Sequence, residues 1–237
     1  MLTNRILTLC AWAGPATVVV AMIGWLIAGV LPIPLGSESS VEAVVSFYSH
    51  DTRVIAGLVI STIGVSLVFP LIAVIAVYMV RMEGRTPILA FLQLITGAAT
   101  GVCLLLPLLL MTTIAFRPDR SPELTMTLND IAWLLFITPI APFMIQNVAI
   151  GVAILNDKRQ TLPRWVGYVN FWIAFSFIPD PLAFFFHSGP FAWRGIFIFW
   201  LALTTYSVFL IVMGLTLRKA IRESADPDVS AVAAAAA

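Results

Sequence analysis

Asp180 stands between two prolines, in the run Phe177-Ile178-Pro179-Asp180-Pro181-Leu182, within a strongly apolar part of the chain. A proline lacks the backbone donor that a helix needs, so a pair of them interrupts the helix and frees carbonyls that must find partners. An ionised carboxylate among apolar and aromatic side chains is costly unless it is paired or wetted. Such a residue can act as a gate, an ion-coupling carboxylate or an acid-base group in a broken helix. The plainer alternative is that the helix ends at Ile178 and Asp180 occupies a solvated turn.

A second group of reactive side chains is spread over several loops: His50, Asp51 and Arg53, then Asp130, His187 and Arg194. If folding gathers them with Asp180, they form one outer polar cluster. Two histidines and several carboxylates are chemically able to ligate a metal. No paired spacing such as H-x-x-x-H occurs, however, which favours Arg53 paired with Asp51, Asp130 or Asp180 as structural glue. There is no phosphate-binding glycine loop and no motif that marks a serine or cysteine nucleophile with its histidine. Cys10 and Cys103 both fall in apolar stretches and read as small packing residues. The formal charge of +1 gives no concentrated basic face for nucleic acid.

These residues must be positioned by six long apolar stretches, near residues 7–31, 54–80, 88–115, 131–155, 165–186 and 195–217. Each reaches the roughly 20 residues that a helix needs to cross about 30 Å of hydrocarbon. Only 11% of the 237 residues are charged, and nearly all of those lie between the stretches. The chain therefore reads as an all-α polytopic membrane protein of six transmembrane helices: one domain over 1–222 and a disordered tail over 223–237. The first stretch is too long for the core of a cleaved signal peptide. Arg5, Arg81, Arg85, Lys158, Arg159, Arg164, Arg218, Lys219 and Arg222 fall on one side. Arg53, Arg117, Arg120 and Arg194 fall on the other, which places both termini in the cytoplasm.

The connections carry helix-start signals. Ser39 with Glu42 fits a capping box, and Val41, Val44, Val45 and Tyr48 recur at helical spacing. They predict a short amphipathic helix on the outer membrane surface, or simply the beginning of the second span. Ser121-Pro122-Glu123 predicts another helix start, and Thr86-Pro87 and Thr161-Leu162-Pro163 recur after the two basic turns. That shared plan fits either an internal duplication or ordinary capping. Gln93, Gln146, Asn147 and Asn170, with Ser61 and Thr96, are expected to bond between helices. Gly97 and Gly101 allow a close helix approach, within the chain or in a homo-oligomer. Pro15, Pro70, Pro107, Pro139 and Pro142 predict kinks.

Fifteen of the 27 aromatic residues lie between Trp165 and Tyr206. A wall formed by Phe171, Trp172, Phe175, Phe185, Phe197 and Trp200 would suit a flat lipophilic ligand (a sterol, quinone or carotenoid) or the flank of a partner subunit. Phenylalanines facing lipid would give the same pattern. The patch Phe47-Tyr48-Ser49-His50-Asp51-Thr52-Arg53, with Gly189-Pro190-Phe191-Ala192-Trp193-Arg194-Gly195, resembles a family of uncharacterised bacterial six-span membrane proteins. The resemblance implies the same six-helix layout in a bacterial cytoplasmic membrane, and no activity, cofactor or catalytic residue.

The leading expectation is a non-catalytic membrane protein: an accessory subunit of a complex, or a binder of a lipophilic small molecule through the wall of the fifth and sixth stretches. A small transporter or channel gated near Asp180 comes second. A membrane enzyme using His50, Asp51, Asp180 and His187 comes third.

Overall fold

The computed structural model describes residues 2–49 and 51–225, apart from the side chains of Leu2, Asp51 and Ala225. Among these residues the fold is all-helical and contains no strand. The α-helices are α1 (Leu2–Ala28), α2 (Val41–Ser49), α3 (Asp51–Ser66), α4 (Val68–Glu83) and α5 (Ile88–Ala115). They continue with α6 (Pro122–Ile137), α7 (Ala141–Asn156), α8 (Arg164–Ser176) and α9 (Leu201–Ala225). A 3₁₀ turn over Asp180–Phe184 and a π-helical turn over Ile196–Trp200 join α8 to α9.

Among the described residues five helical segments are long and apolar enough to cross a membrane: Thr3–Ala28, Thr52–Glu83, Ile88–Ala115, Pro122–Asn156 and Ile196–Ser224. The stretch at 165–186 differs from expectation. Its helix α8 has only 13 residues, about 20 Å at 1.5 Å per residue. Pro179 and Pro181 prevent it from continuing, and the chain tightens into the 3₁₀ turn instead. The tail expected to be disordered lies mostly beyond residue 225, outside the described residues; its start, Glu223–Ala225, completes α9.

The prolines act as their positions require. Pro15 and Pro107 lie inside α1 and α5, whereas Pro70 accompanies the break between α3 and α4 at Leu67. Pro70 has no amide to offer the carbonyl of Ser66, and Leu67 bonds back to Gly64 instead. At α2 the cap is Ser40, whose hydroxyl accepts from the Ala43 amide at 3.2 Å. Ser39, one residue earlier, instead accepts from Gly36 at 2.9 Å. The Glu42 carboxyl pKa is lowered by its own backbone amide first and by Ser40 second. Ser121 caps α6 as its sequence predicts. Thr86 does not cap α5: the Glu83 carboxylate accepts from the amides of Leu89 and Ala90, at 2.8 and 2.7 Å. Asp157 likewise organises the turn before α8 through the amides of Arg159 and Thr161. Acidic residues suit such ends because unpaired amides there carry partial positive charge.

The packed pairs α1–α3, α7–α8 and α8–α9 run antiparallel. The α1–α3 seam passes from Ala28 against Gly57, through Gly24 against Ser61, to Ala21 against Gly64. On these glycines even a Cβ would strike the facing backbone, so backbone packs on backbone. The Ser61 hydroxyl donates to the Ala21 carbonyl across the same seam, at 3.2 Å. Helices α7 and α8 meet at Leu155–Gly167 and Gly151–Phe171. Helices α8 and α9 meet at Asn170–Met213 and Ser176–Thr205. Because α1 and α9 are antiparallel as well, through Gly14–Leu210 and Ala11–Gly214, both ends of the described chain lie at one end of the bundle. Gly97 and Gly101 face Gln146 and Phe69, so this pair serves contacts within the chain.

Gly57→Leu should therefore destabilise the protein by about 1–3 kcal/mol, as overpacking does. Ala56→Leu, one residue away on the exposed face, should be near neutral. Thermal unfolding in detergent checks this, and equal losses in the two variants would contradict the seam.

Candidate functional site

Three helix breaks face one another inside the bundle. The first separates α6 from α7: Thr138 bonds back to the Leu134 carbonyl through its amide and hydroxyl, at 3.0 and 2.6 Å. Pro139 then has no amide, and Ile140 turns back to Thr138 at 2.8 Å. The second follows α8, where Asp180 donates its amide to Phe177 and Leu182 donates to Pro179. The third is the π-helical turn, entered at Gly195, where the Phe199 amide reaches the Gly195 carbonyl at 2.9 Å. Breaks of this kind at membrane depth are tolerated where protein or a cavity takes up the freed groups.

A cavity of about 110 Å³ lies between these breaks and the walls of α1 and α5. Trp25, Phe136, Phe143, Phe177, Phe199 and Tyr206 supply its aromatic lining. It sits where two apolar clusters meet. One contains Phe143, Phe177 and Leu210, and the other contains Trp25, Ile137 and Phe199.

Asp180 is on the cavity wall, 1% exposed, and neither carboxylate oxygen has a hydrogen-bond partner among the described residues. The solvated turn weighed from sequence is therefore not where this residue sits. Nearby hydroxyls do not serve it. Thr17, Thr100 and Ser207 also line the cavity, but each donates to a carbonyl of its own helix, at 2.8, 2.9 and 2.7 Å. Among the described residues Asp180 is the one carboxylate on the wall, and no Lys, Arg or His joins it there.

The remaining polar residues are divided rather than gathered into one cluster. Arg194 forms an ion pair with Glu38, which the sequence reading left out. The Ser37 hydroxyl donates to the His187 carbonyl, and the Trp193 indole N–H donates to the Leu35 carbonyl at 2.9 Å. These bonds tie the segment before α9 to the segment after α1. His187 is exposed and acts electrostatically on Asp130 of α6. Beside Asp130, the Tyr48 hydroxyl donates to the Asn129 side-chain oxygen at 3.0 Å. Burial, and after it the Asp130 charge, raises the Tyr48 phenol pKa above its usual value. The Arg53 guanidinium lies against Gly29. His50 lies outside the described residues, as does the Asp51 side chain. Among the described residues no group of three potential metal ligands comes together.

The expected aromatic wall is spread over the surface. Trp172 is 71% exposed and makes an edge contact with Phe175, while Phe185 is 75% exposed. Phe171 turns inward onto Gly151. Phe197 stacks on Phe191, and Trp200 makes an edge contact with Phe199. None of the six lines the cavity. Of the aromatics that do line it, Phe177, Phe199 and Tyr206 belong to the Trp165–Tyr206 cluster, whereas Trp25, Phe136 and Phe143 come from α1, α6 and α7 and were missed by sequence clustering. Their common signal is proximity to a helix break: Phe136 and Phe143 flank Pro139 and Pro142, and Phe177 precedes Pro179. A lid of rings continues outward, with Trp193 stacked on Trp133 at 6.4 Å and Trp133 against Phe199 at 6.0 Å.

The buried amides divide too. Asn170 bonds to Val166 of its own helix and to the Met213 sulfur of α9. Asn147 donates to the Phe143 carbonyl of its own helix, and Gln93 has neither amide atom bonded. Compared with known proteins, the chain matches no family model, no curated protein and no solved structure.

Trp193→Phe should cost about 1 kcal/mol, the typical net worth of one hydrogen bond, because the Leu35 carbonyl loses its donor. Arg194→Ala should cost less than about 1 kcal/mol, since the Glu38 pair is more than a third exposed. Unfolding midpoints of the two variants check this ranking, and a larger loss for Arg194→Ala would reverse it.

Proposed function

We propose that this chain is a six-crossing, non-catalytic integral membrane protein that binds a small lipophilic molecule in its central cavity. The six crossings rest on α8 and the turns after it, which carry the chain back antiparallel between α7 and α9. The shared end of α1 and α9 carries Arg5, Arg218 and Lys219, so the positive-inside rule puts it in the cytoplasm. By the bacterial resemblance, the membrane is the cytoplasmic one. A reporter fused in the Asp157–Pro163 turn should read as cytoplasmic and one in the Ser37–Ser40 segment as external; both reading on one side would defeat this topology.

The observation that carries the binding function is the apolar cavity at the meeting of three helix breaks, with one buried carboxylate on its wall. Its volume is near that of an engineered apolar pocket of roughly 150 Å³ that takes benzene. This favours a ligand of that size over a whole sterol, quinone or carotenoid. What supports the non-catalytic reading is a wall on which, among the described residues, no base, cation or second carboxylate stands beside Asp180. In this reading the contact moves from the expected rings of α8 and α9 to the segment around Phe177 and Asp180, the π-helical turn and the inner face of α9 at Ala202, Tyr206 and Leu210.

Gentle purification followed by mass spectrometry of bound small molecules tests the proposal. The wild-type protein should carry a small apolar compound in near-stoichiometric amount. Ala202→Phe, which fills the cavity, should lose it while eluting as the wild type does. A wild-type protein without any such compound, or a variant that retains it, would contradict the reading.

A further inference from the structure

We propose that the cavity selects a lipophilic amine, with Asp180 as the counter-ion of its ammonium group. This rests on the cavity-binding reading and adds the chemical class of the ligand. The argument begins with hydrogen-bond supply. A carboxylate has only acceptor sites when ionised, and a buried one is stable when its oxygens receive donors or a cation. Here both oxygens lack a partner at 1% exposure. The three aliphatic hydroxyls nearest in kind, on Thr17, Thr100 and Ser207, already donate to helix carbonyls. Of the cationic side chains of the outer loops, Arg194 pairs with Glu38, Arg120 donates to the Ile114 and Thr113 carbonyls, and Arg53 lies against Gly29. Two further donors line the cavity, the Trp25 indole N–H, itself without a partner, and the Tyr206 hydroxyl, but both are uncharged, so the balancing charge is left to be supplied by what enters the cavity.

Ligand chemistries differ in how much of this they supply. A hydrocarbon fills the apolar wall and gives nothing to Asp180. An alcohol gives one donor and no charge. A protonated amine gives up to three donors and the balancing charge, and charge-assisted bonds of that kind are the strong ones. Low surrounding polarity strengthens the pair further. The aromatic wall accepts the rest of an amphiphilic cation, since ring faces attract cationic groups as well as apolar ones. The cavity limits the body to roughly the size of one ring with a short chain.

The test uses the full-length protein in lipid nanodiscs and three probes of one shape: phenethylamine, phenethyl alcohol and propylbenzene. Binding is measured by calorimetry, with protein-free nanodiscs subtracted to remove partition into lipid. Wild type should bind the amine roughly tenfold or more tighter than the hydrocarbon, with the alcohol between them, as one charge-assisted pair implies. Asp180→Asn should abolish the amine's advantage while still binding propylbenzene, which also shows that the variant is folded. Equal binding of amine and hydrocarbon to wild type, or an amine preference that survives Asp180→Asn, overturns the amine inference and leaves the cavity reading intact. Failure of all three probes to bind wild type overturns both. If Asp180→Asn does not fold, the ranking of the three probes on wild type still decides the charge preference.

Discussion

Inside hydrocarbon, a helix that stops strands carbonyls and amides that water cannot reach, each worth several kcal/mol if left alone. The architecture of this chain is organised by where it accepts that cost. The α6–α7 break, the turn after α8 and the π-helical entry to α9 are far apart in sequence. In the fold they face a single cavity. Concentrating the breaks lets adjacent segments share short local bonds, such as Ile140 to Thr138 and Asp180 to Phe177, while the rest of each helix stays regular. The tight α1–α3 seam, with glycine opposite backbone, provides the rigid side against which the broken elements are held.

Among the described residues Asp180 is the carboxylate that this arrangement leaves without a partner, beside uncharged groups such as the Gln93 amide and the Trp25 indole N–H. Protein interiors rarely leave a buried carboxylate without donors, and such exceptions call for an explanation in strain, function or an unseen partner. Its position between two prolines fixes it in a 3₁₀ turn, where its side chain cannot be absorbed by a helix end. The chain of rings from Trp193 through Trp133 reaches the cavity wall at Phe199, and the loop bearing Trp193 is latched to the segment after α1. Carboxylate, apolar wall and lid thus belong to one unit, assembled from segments that are local in sequence only around residues 177–199.

Much of this was legible beforehand and some was not, for physical reasons. The apolar runs gave α5 at its observed bounds, and the break near Pro70 and the start at Ser121 followed from backbone chemistry that acts within a few residues. Ser40 rather than Ser39 caps α2, because two adjacent serines leave the register of the cap undetermined until Gly36 takes one of them. Glu83 displaced Thr86 as the α5 cap, since a charged acceptor six residues upstream can reach the same amides. The Asp180 motif was visible, but its burial was not: whether a Pro-Asp-Pro turn faces water or a cavity depends on Phe136, Phe199 and Trp25, which arrive from other elements. The density of aromatics after Trp165 pointed to Trp172 and Phe185, which turn outward. Composition along one segment does not reveal which face the bundle covers.

The most direct measurement is an experimental structure of the protein in a lipid bilayer, at a resolution that shows the surroundings of the Asp180 carboxylate. The prediction is a non-protein molecule within hydrogen-bonding distance of that carboxylate, enclosed by Trp25, Phe136 and Phe199. A carboxylate paired with Arg53 or Arg194, in a bundle closed over the cavity, would contradict it.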